Sequence, residues 1–278
     1  MAKKNSGGVV SIIVLFFVAV TVLSNISKGG KTHQKSSNKS TTSSYQIEFS
    51  KDFKPGLSVQ DDLGLSVVIA VDCSGSMSDS PSSSSGGKRK YEIASESMTE
   101  IMEFLEQFYN KSSSKDKIVL KVGLLKFSSD VKVLFALKEM TPDTFKELKE
   151  LTGNVNNFYP DGQTAIGSTL EQGTEMLAQS GTIFKSLIVI TDGANTSGVE
   201  PEAVMKAIVD NLNNKSTKDF PVTTSSVLVS FVGFDIASST FDELHKQGAR
   251  VMSADNKEEL NQSMKNIFLA DITKLESK

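Results

Sequence analysis

Hydrophobic positions follow two different periods from residue 65 to the end of the chain. Residues 65–71 read Leu-Ser-Val-Val-Ile-Ala-Val, a short β-branched run typical of a strand that is buried on both faces. Residues 91–109 instead place apolar side chains at spacings of three and four, with glutamates largely on the opposite side. The first segment is therefore predicted as a central strand and the second as an amphipathic helix.

The same two patterns alternate along the rest of the chain. Further strands are predicted over residues 117–127, 131–137, 186–191, 225–234 and 250–252, and further helices over residues 142–151, 164–179, 200–212, 241–247 and 257–272. Parallel neighbouring strands need a crossover, which helices of this length supply. We therefore predict an α/β fold with a doubly wound, mostly parallel sheet and helices on both faces. The polar turn at residues 128–130 predicts a hairpin, and so one antiparallel edge strand.

The amino-terminal part of the chain has a different pattern. Residues 7–23 carry no charge, and at 1.5 Å per residue they span about 25 Å as a helix. With residues 24–26 included, this length predicts a single-pass membrane anchor over residues 7–26, preceded by a short polar tail at residues 1–6. Lys3 and Lys4 before an apolar core also suit a cleaved secretory signal, although no convincing small-x-small cleavage site follows. The sequence leaves both alternatives open.

Residues 27–45 contain almost no apolar side chain, which predicts a flexible linker before a domain at residues 46–278. A short strand is also possible at residues 46–50. The lysines that follow residue 26 lean weakly towards a cytoplasmic domain by the positive-inside rule. The Lys-Lys start and the Ser/Thr-rich tether favour the opposite side. We predict an extracytoplasmic domain and keep the cytoplasmic orientation as the alternative.

Charge and cysteine content narrow the possible functions. Residues 1–45 hold six lysines and no acid, whereas the whole chain has a net charge of −3, so the remainder carries −9. An acidic domain argues against nucleic-acid binding, which depends on a basic face. The single cysteine, Cys73, cannot form an intramolecular disulfide, and we predict that it is a buried core residue.

Three oxygen-rich segments are predicted at one edge of the sheet. Residues 72–76, Asp-Cys-Ser-Gly-Ser, follow the first strand, residues 161–164, Asp-Gly-Gln-Thr, lie at a helix start, and residues 191–193, Thr-Asp-Gly, follow a core strand. Ligand sites in such sheets lie beyond the carboxyl ends of the strands. Hard oxygen ligands without a His or thiolate cluster suit Mg²⁺ or Mn²⁺ rather than zinc. Ca²⁺ is a further possible cation.

In these segments the chain resembles the von Willebrand factor A family, whose metal-ion-dependent adhesion site has the pattern Asp-x-Ser-x-Ser, a later Thr and a later Asp before Gly. The resemblance spans roughly residues 65–272 and includes the predicted hairpin. It implies a metal site formed by Asp72, Ser74, Ser76, Thr164 and Asp192. By similarity, the three hydroxyl groups would contact the cation directly, and the two aspartates would act mainly through bound water. One coordination position would stay open for a carboxylate of the partner.

The resemblance implies a membrane-anchored, cation-dependent protein-binding module of the adhesion type, with a protein ligand that presents an acidic residue. An alternative is a cytoplasm-facing accessory subunit of an ATPase or chelatase complex. We expect no enzyme activity, because Ser74 stands where an aspartyl-phosphate phosphatase of similar topology would have a second aspartate, two residues after the first. His33 lies in the predicted linker and His245 in a late helix, so the sequence indicates no arrangement of nucleophile, histidine and orienting carboxylate.

Two segments beside the predicted metal loops are candidates for partner contact. Phe158 and Tyr159 lie in a stretch whose Asn and Pro content disfavours a regular helix, and the alternative for Phe158 is a core residue beneath the loop. Lys88, Arg89 and Lys90 end a long Ser-rich loop and would favour an acidic partner, with a solvated charge run as the alternative. We also expect Asp72 to be a solvated carboxylate at the rim of the site.

Overall fold

A computed structural model describes residues 62–83, 87–112, 119–210 and 227–276 of the chain. The predicted polar tail, membrane anchor, linker and short strand at residues 46–50 lie outside these ranges. Within them, no helix is long and apolar enough to cross a membrane.

The described residues form one six-stranded sheet. Its strands are β1 (Asp62–Asp72), β2 (Val119–Phe127), β3 (Val131–Glu139), β4 (Thr182–Thr191), β5 (Val227–Phe234) and β6 (Arg250–Ala254). The strand order is β3-β2-β1-β4-β5-β6. All neighbours are parallel except β2 and β3, which pair antiparallel at one edge. The predicted doubly wound sheet with one antiparallel edge strand is confirmed.

The described part of the chain contains six α-helices, five that lie between strands and one that follows β6. They are α1 (Lys90–Ser112), α2 (Pro142–Gly153), α3 (Ile166–Ala178), α4 (Pro201–Ile208), α5 (Asp242–Lys246) and α6 (Lys257–Glu276). Each lies within a few residues of its predicted position. The largest difference that bears on the site is α3, which begins at Ile166 rather than at Thr164.

Helices cover both faces of the sheet because successive strand residues point to opposite sides. In β1, Val67 and Ile69 pack in the layer that contains α1, α2 and α6. Val68 and Ala70 pack in the other layer, against α3, α4 and α5. All four side chains are completely buried. This is why the strand sequence is apolar without alternation.

The strand order reverses at the centre of the sheet, between β1 and β4. The crossover from β1 leads to β2 on one side, whereas β4, β5 and β6 follow on the other. At such a switch point the loops leave in opposite directions, and a crevice opens beyond the carboxyl ends of the two strands. β1 ends at Asp72 and β4 ends at Thr191, so the predicted metal-binding segments border this crevice.

Candidate metal site

The register of β1 and β4 brings two of the oxygen-rich segments side by side. Val71 pairs with Ile190, so Asp72 and Thr191 are neighbours at the ends of their strands. The Thr191 hydroxyl donates a hydrogen bond of 2.6 Å to Asp72 Oδ2. The strand pairing therefore fixes the first predicted ligand against the Thr-Asp-Gly segment.

Asp72 is fully buried, which corrects the expectation of a solvated rim carboxylate. Its second oxygen, Oδ1, accepts a 2.7 Å hydrogen bond from the backbone N–H of Ser74. Burial raises the pKa of Asp72 from 3.8 to about 6, and these hydrogen bonds oppose the rise without cancelling it. A nearby cation would stabilise the charged form of such a carboxyl group and lower its pKa.

The chain reverses after Asp72 through a 3-10 helix at Gly75–Ser78. Met77 is buried in the core at this turn, Ser74 is also buried, and Ser76 is exposed. The hydroxyl oxygens of Ser74 and Ser76 are 3.2 Å apart. The preceding residue, Cys73, is buried as predicted, and burial raises the pKa of its thiol to about 12. Such a thiol stays protonated at neutral pH and is unsuited to binding a metal.

The segment with Thr164 is held against the same turn by backbone contacts. Gly162 has a φ of 79°, a conformation that glycine adopts readily. Its carbonyl accepts a 3.0 Å hydrogen bond from the N–H of Gly75. The N–H of Thr164 donates to the Thr196 hydroxyl at 2.8 Å. Thr164 is thus fixed between the first loop and the loop that follows β4.

Five predicted ligands converge at this edge of the sheet. The Ser76 hydroxyl donates a 2.7 Å hydrogen bond to Asp192 Oδ1, and this bond joins the loop after β1 to the loop after β4. A Cβ placed on Gly193 would lie 3.7 Å from Thr164 Oγ1, so this hydroxyl faces the backbone beside Asp192. Ser76 is exposed, whereas Asp72, Ser74, Thr164 and Asp192 are buried. The result is a recessed set of carboxylate and hydroxyl oxygens with an opening to solvent.

Comparisons with known proteins agree with this architecture. The profile of the von Willebrand factor type A domain matches residues 66–266. The chain belongs to this family. No curated protein sequence matches the chain.

Solved von Willebrand factor type A and related structures share the fold at low sequence identity. A von Willebrand factor type A protein from Catenulispora acidiphila has a TM-score of 0.52 and 17% identity, over 74% of this chain and 42% of the other. An aerotolerance-related membrane protein from Bacteroides fragilis has a TM-score of 0.51 and 19% identity, over 76% and 99%. Proximal thread matrix protein 1 from the mussel byssus, with a zinc-occupied adhesion motif, has a TM-score of 0.51 and 17% identity, over 74% and 46%.

Lys90 occupies a different place in this von Willebrand factor type A domain from the one we predicted. Its side chain is buried, and its ammonium group lies 3.0 Å from Asp192 Oδ2 and 3.3 Å from Asp235 Oδ2. Desolvation lowers the pKa of Lys90, but the hydrogen bonds and charges of Asp192 and Asp235 outweigh it and raise the pKa above its ordinary value. Lys90 is therefore an internal partner of the site, and the prediction that it contacts a protein ligand is corrected.

The other predicted partner contacts divide in the same way. Phe158 is completely buried in the core layer of α1, so its predicted contact with a partner is also corrected. Tyr159, the next residue, is 67% exposed and packs edge-on against Tyr91 with ring centroids 5.9 Å apart. Lys88 and Arg89 are exposed, and Lys88 forms a surface ion pair with Glu96.

Several residues that organise the site could not be identified from their sequence pattern. Asn195 accepts hydrogen bonds from the N–H groups of Ile166 and Gly167, and so caps α3 in place of a residue of its own segment. Asp235 holds Lys90 from the end of β5. Thr191 is part of the Thr-Asp-Gly segment, but its hydrogen bond to Asp72 depends on the register of β1 and β4, which the sequence pattern does not give. Each of these contacts joins segments that are distant in the chain.

Proposed function

We propose that this domain is a divalent-cation-dependent protein-binding module whose partner supplies a carboxylate. The observation that carries the proposal is the convergence of Asp72, Ser76 and Asp192, with the neighbouring hydroxyls, on an opening at the carboxyl edge of the sheet. Carboxylate and hydroxyl oxygens are the ligands that Mg²⁺ and Mn²⁺ prefer. The donor set therefore fits such a cation, with Mg²⁺ as the first choice.

In this proposal Ser74, Ser76 and Thr164 hold the cation through their hydroxyls, and Asp72 and Asp192 compensate its charge. When bound, the cation would act as a Lewis acid that coordinates a carboxylate oxygen of the partner. The exposed position of Ser76 leaves the approach to the site open. No general base or nucleophile is needed for binding, and we propose a binding role rather than an enzymatic one.

Partner contact would extend from this opening to Tyr159. The N–H of Asp161 donates a 2.8 Å hydrogen bond to the carbonyl of Cys73, so the segment that carries Tyr159 runs beside the first metal-binding loop. An exposed tyrosine combines an apolar ring with a polar tip, a combination that is enriched in interfaces. Arg89 and Lys88 would add positive charge for an acidic partner.

The proposed open coordination position has a direct test. With Mn²⁺ bound, a glutamate-bearing peptide should displace metal-bound water and reduce the water-proton relaxation enhancement. The matched peptide with glutamine in place of glutamate should leave the enhancement unchanged, because an amide is a weaker ligand for a hard cation. Equal effects of the two peptides would contradict carboxylate recognition.

We further propose that residues 7–26 anchor the chain in a membrane, with the domain on the extracytoplasmic side. The support is the uncharged run of residues 7–23. The full chain should then remain with membranes through a carbonate wash, and release of a mature protein that begins near Ser27 would contradict anchoring.

The adhesion role and the accessory role in an ATPase or chelatase complex require the domain to lie on opposite sides of the membrane. The location of the domain therefore distinguishes them. A carboxyl-terminal tag that is accessible to protease in intact cells supports the extracytoplasmic proposal. A protected tag supports the accessory role.

A further inference from the structure

Lys90 is held beside the candidate metal site by three separate parts of the chain. Its backbone N–H donates a 2.9 Å hydrogen bond to the carbonyl of Asp79, at the end of the first metal-binding loop. Its ammonium group bridges Asp192, after β4, and Asp235, after β5. The start of α1 thus delivers a buried positive charge to the carboxylate that also accepts a hydrogen bond from Ser76.

The second partner of Lys90 is itself firmly placed. Asp235 has a φ of 57°, a left-handed conformation in which aspartate is among the better-tolerated side chains. Its Oδ1 accepts a 3.0 Å hydrogen bond from the N–H of Ser82, and its Oδ2 accepts one of 3.2 Å from the Ser82 hydroxyl. Asp235 therefore connects the Ser-rich loop to Lys90. The ammonium group of Lys90 is shared between Asp235 and Asp192, so its interaction with Asp192 is weaker than that of an ammonium group paired with Asp192 alone.

The two oxygens of Asp192 have different partners. Oδ1 accepts from Ser76, a predicted metal ligand, whereas Oδ2 accepts from Lys90. A divalent cation among the predicted ligands would share the charge of Asp192 with the ammonium group. Because the Lys90 and Asp192 side chains are buried, water would screen the repulsion between the two cations only in part. Lys90 thus stabilises the carboxylate in the metal-free protein and opposes the charge that the metal brings.

We propose that Lys90 is a built-in counter-cation that lowers the affinity of the site for divalent cations and keeps the metal-free site intact. This inference rests on the proposed metal site and adds a residue that sets its affinity. It differs from a purely structural ion pair in one respect. Removal of a structural pair would leave cation affinity unchanged or lower it, whereas removal of a counter-cation should raise it.

The test compares Mn²⁺ affinity by calorimetry, and thermal stability with chelator or with Mn²⁺, in the full chain purified in detergent. Lys90→Met keeps an unbranched side chain without the charge, and we expect it to bind Mn²⁺ about tenfold more tightly. The rise in melting temperature from chelator to Mn²⁺ should also be larger than in the wild type, because Asp192 lacks its counter-charge when no metal is bound.

Lys138→Met is the matched control, since it removes the same charge from the edge strand β3, where the side chain is 41% exposed and pairs with Glu147. It should change Mn²⁺ affinity by less than about twofold, because exposed charges are screened. Lys90→Gln gives a second test at the same position, because its amide keeps a hydrogen-bond donor for Asp192 without the positive charge. Mn²⁺ affinity should again rise several-fold.

Two failures can be told apart. If the wild type binds Mn²⁺ and Lys90→Met binds it equally or less tightly, the counter-cation role is wrong and the metal site stands. If neither protein binds Mn²⁺, both the inference and the proposed function are wrong. If Lys90→Met does not fold in chelator, Lys90→Gln decides: tighter Mn²⁺ binding than by the wild type supports the role, and unchanged or weaker binding overturns it.

Discussion

Asp72 is the residue at which burial and function conflict most directly. Ionisation of a buried carboxyl group costs free energy, and the hydrogen bonds from Thr191 and Ser74 offset this cost only in part. The same position lies next to hydroxyl oxygens that suit a cation. The site is therefore arranged so that the metal-free state bears a free-energy cost that a bound cation would relieve.

This conflict predicts how the stability of the metal-free protein depends on pH. The pKa of Asp72 rises from 3.8 to about 6 on folding, so the folded state holds this proton more tightly than the unfolded state. The resulting stability is fully present below pH 3.8 and is lost as pH rises through about 6. In chelator, the wild type should lose about 2 kcal/mol of unfolding free energy from pH 4 to pH 7 that Asp72→Asn does not lose. The unfolding free energy of the variant minus that of the wild type should therefore rise by this amount. Urea unfolding at the two pH values measures this change, and an equal difference at both would contradict it.

The adjacent residues Phe158 and Tyr159 give a second prediction at the residue scale. Phe158 is completely buried and Tyr159 is 67% exposed. Phe158→Ala should cost about 3–5 kcal/mol of unfolding free energy, whereas Tyr159→Ala should cost less than about 1 kcal/mol. Chemical denaturation of both variants provides the comparison. Similar costs would show that the division between core and surface is wrong in this segment.

At the scale of elements, the start of α3 depends on a close approach between two loops. A Cβ on Gly167 would lie 1.9 Å from the carbonyl oxygen of Val199, which is impossible without a shift of backbone. The same first turn of α3 is capped by Asn195. The loop after β4 therefore positions both the helix and the preceding Thr164.

Gly167→Ala should accordingly destabilise the domain by about 1–3 kcal/mol, because the backbone of residue 199 must move. Gly153→Ala is a suitable control, since its Cβ would have Thr99 Oγ1 at 4.0 Å as its nearest neighbour. We expect a change within about 0.5 kcal/mol for the control. Urea unfolding that gives equal values for the two variants would show that the contact at Val199 is not restrictive.

At the scale of the whole molecule, the fold was predictable because its signals are local. The apolar run of β1 and the helical period of α1 each identify an element without knowledge of its neighbours. The reversal of strand order then places Asp72 beside Thr191. The oxygen-rich segments could be found for the same reason, since each directly follows a strand or precedes a helix.

Contacts between distant segments account for what the sequence did not reveal. Lys90 reads as part of an exposed basic run, and its burial follows from carboxylates more than one hundred residues away. Phe158 and Tyr159 lie at the end of a short 3-10 helix, where neither the helical nor the strand period predicts which side chain points inward. Tertiary packing decides both cases.

The central claim is that the converging oxygens form a divalent-cation site, and Thr164 is the most discriminating ligand to change. Thr164→Val replaces the hydroxyl by a methyl group of similar size. Thr174→Val is the matched control on α3, because the buried Thr174 hydroxyl has no hydrogen-bond partner within the described residues. The measurement is calorimetric titration of the wild type and both variants with Mn²⁺. We predict binding by the wild type and Thr174→Val, and loss of at least about tenfold in affinity by Thr164→Val; equal binding by all three proteins, or none by the wild type, would contradict the account.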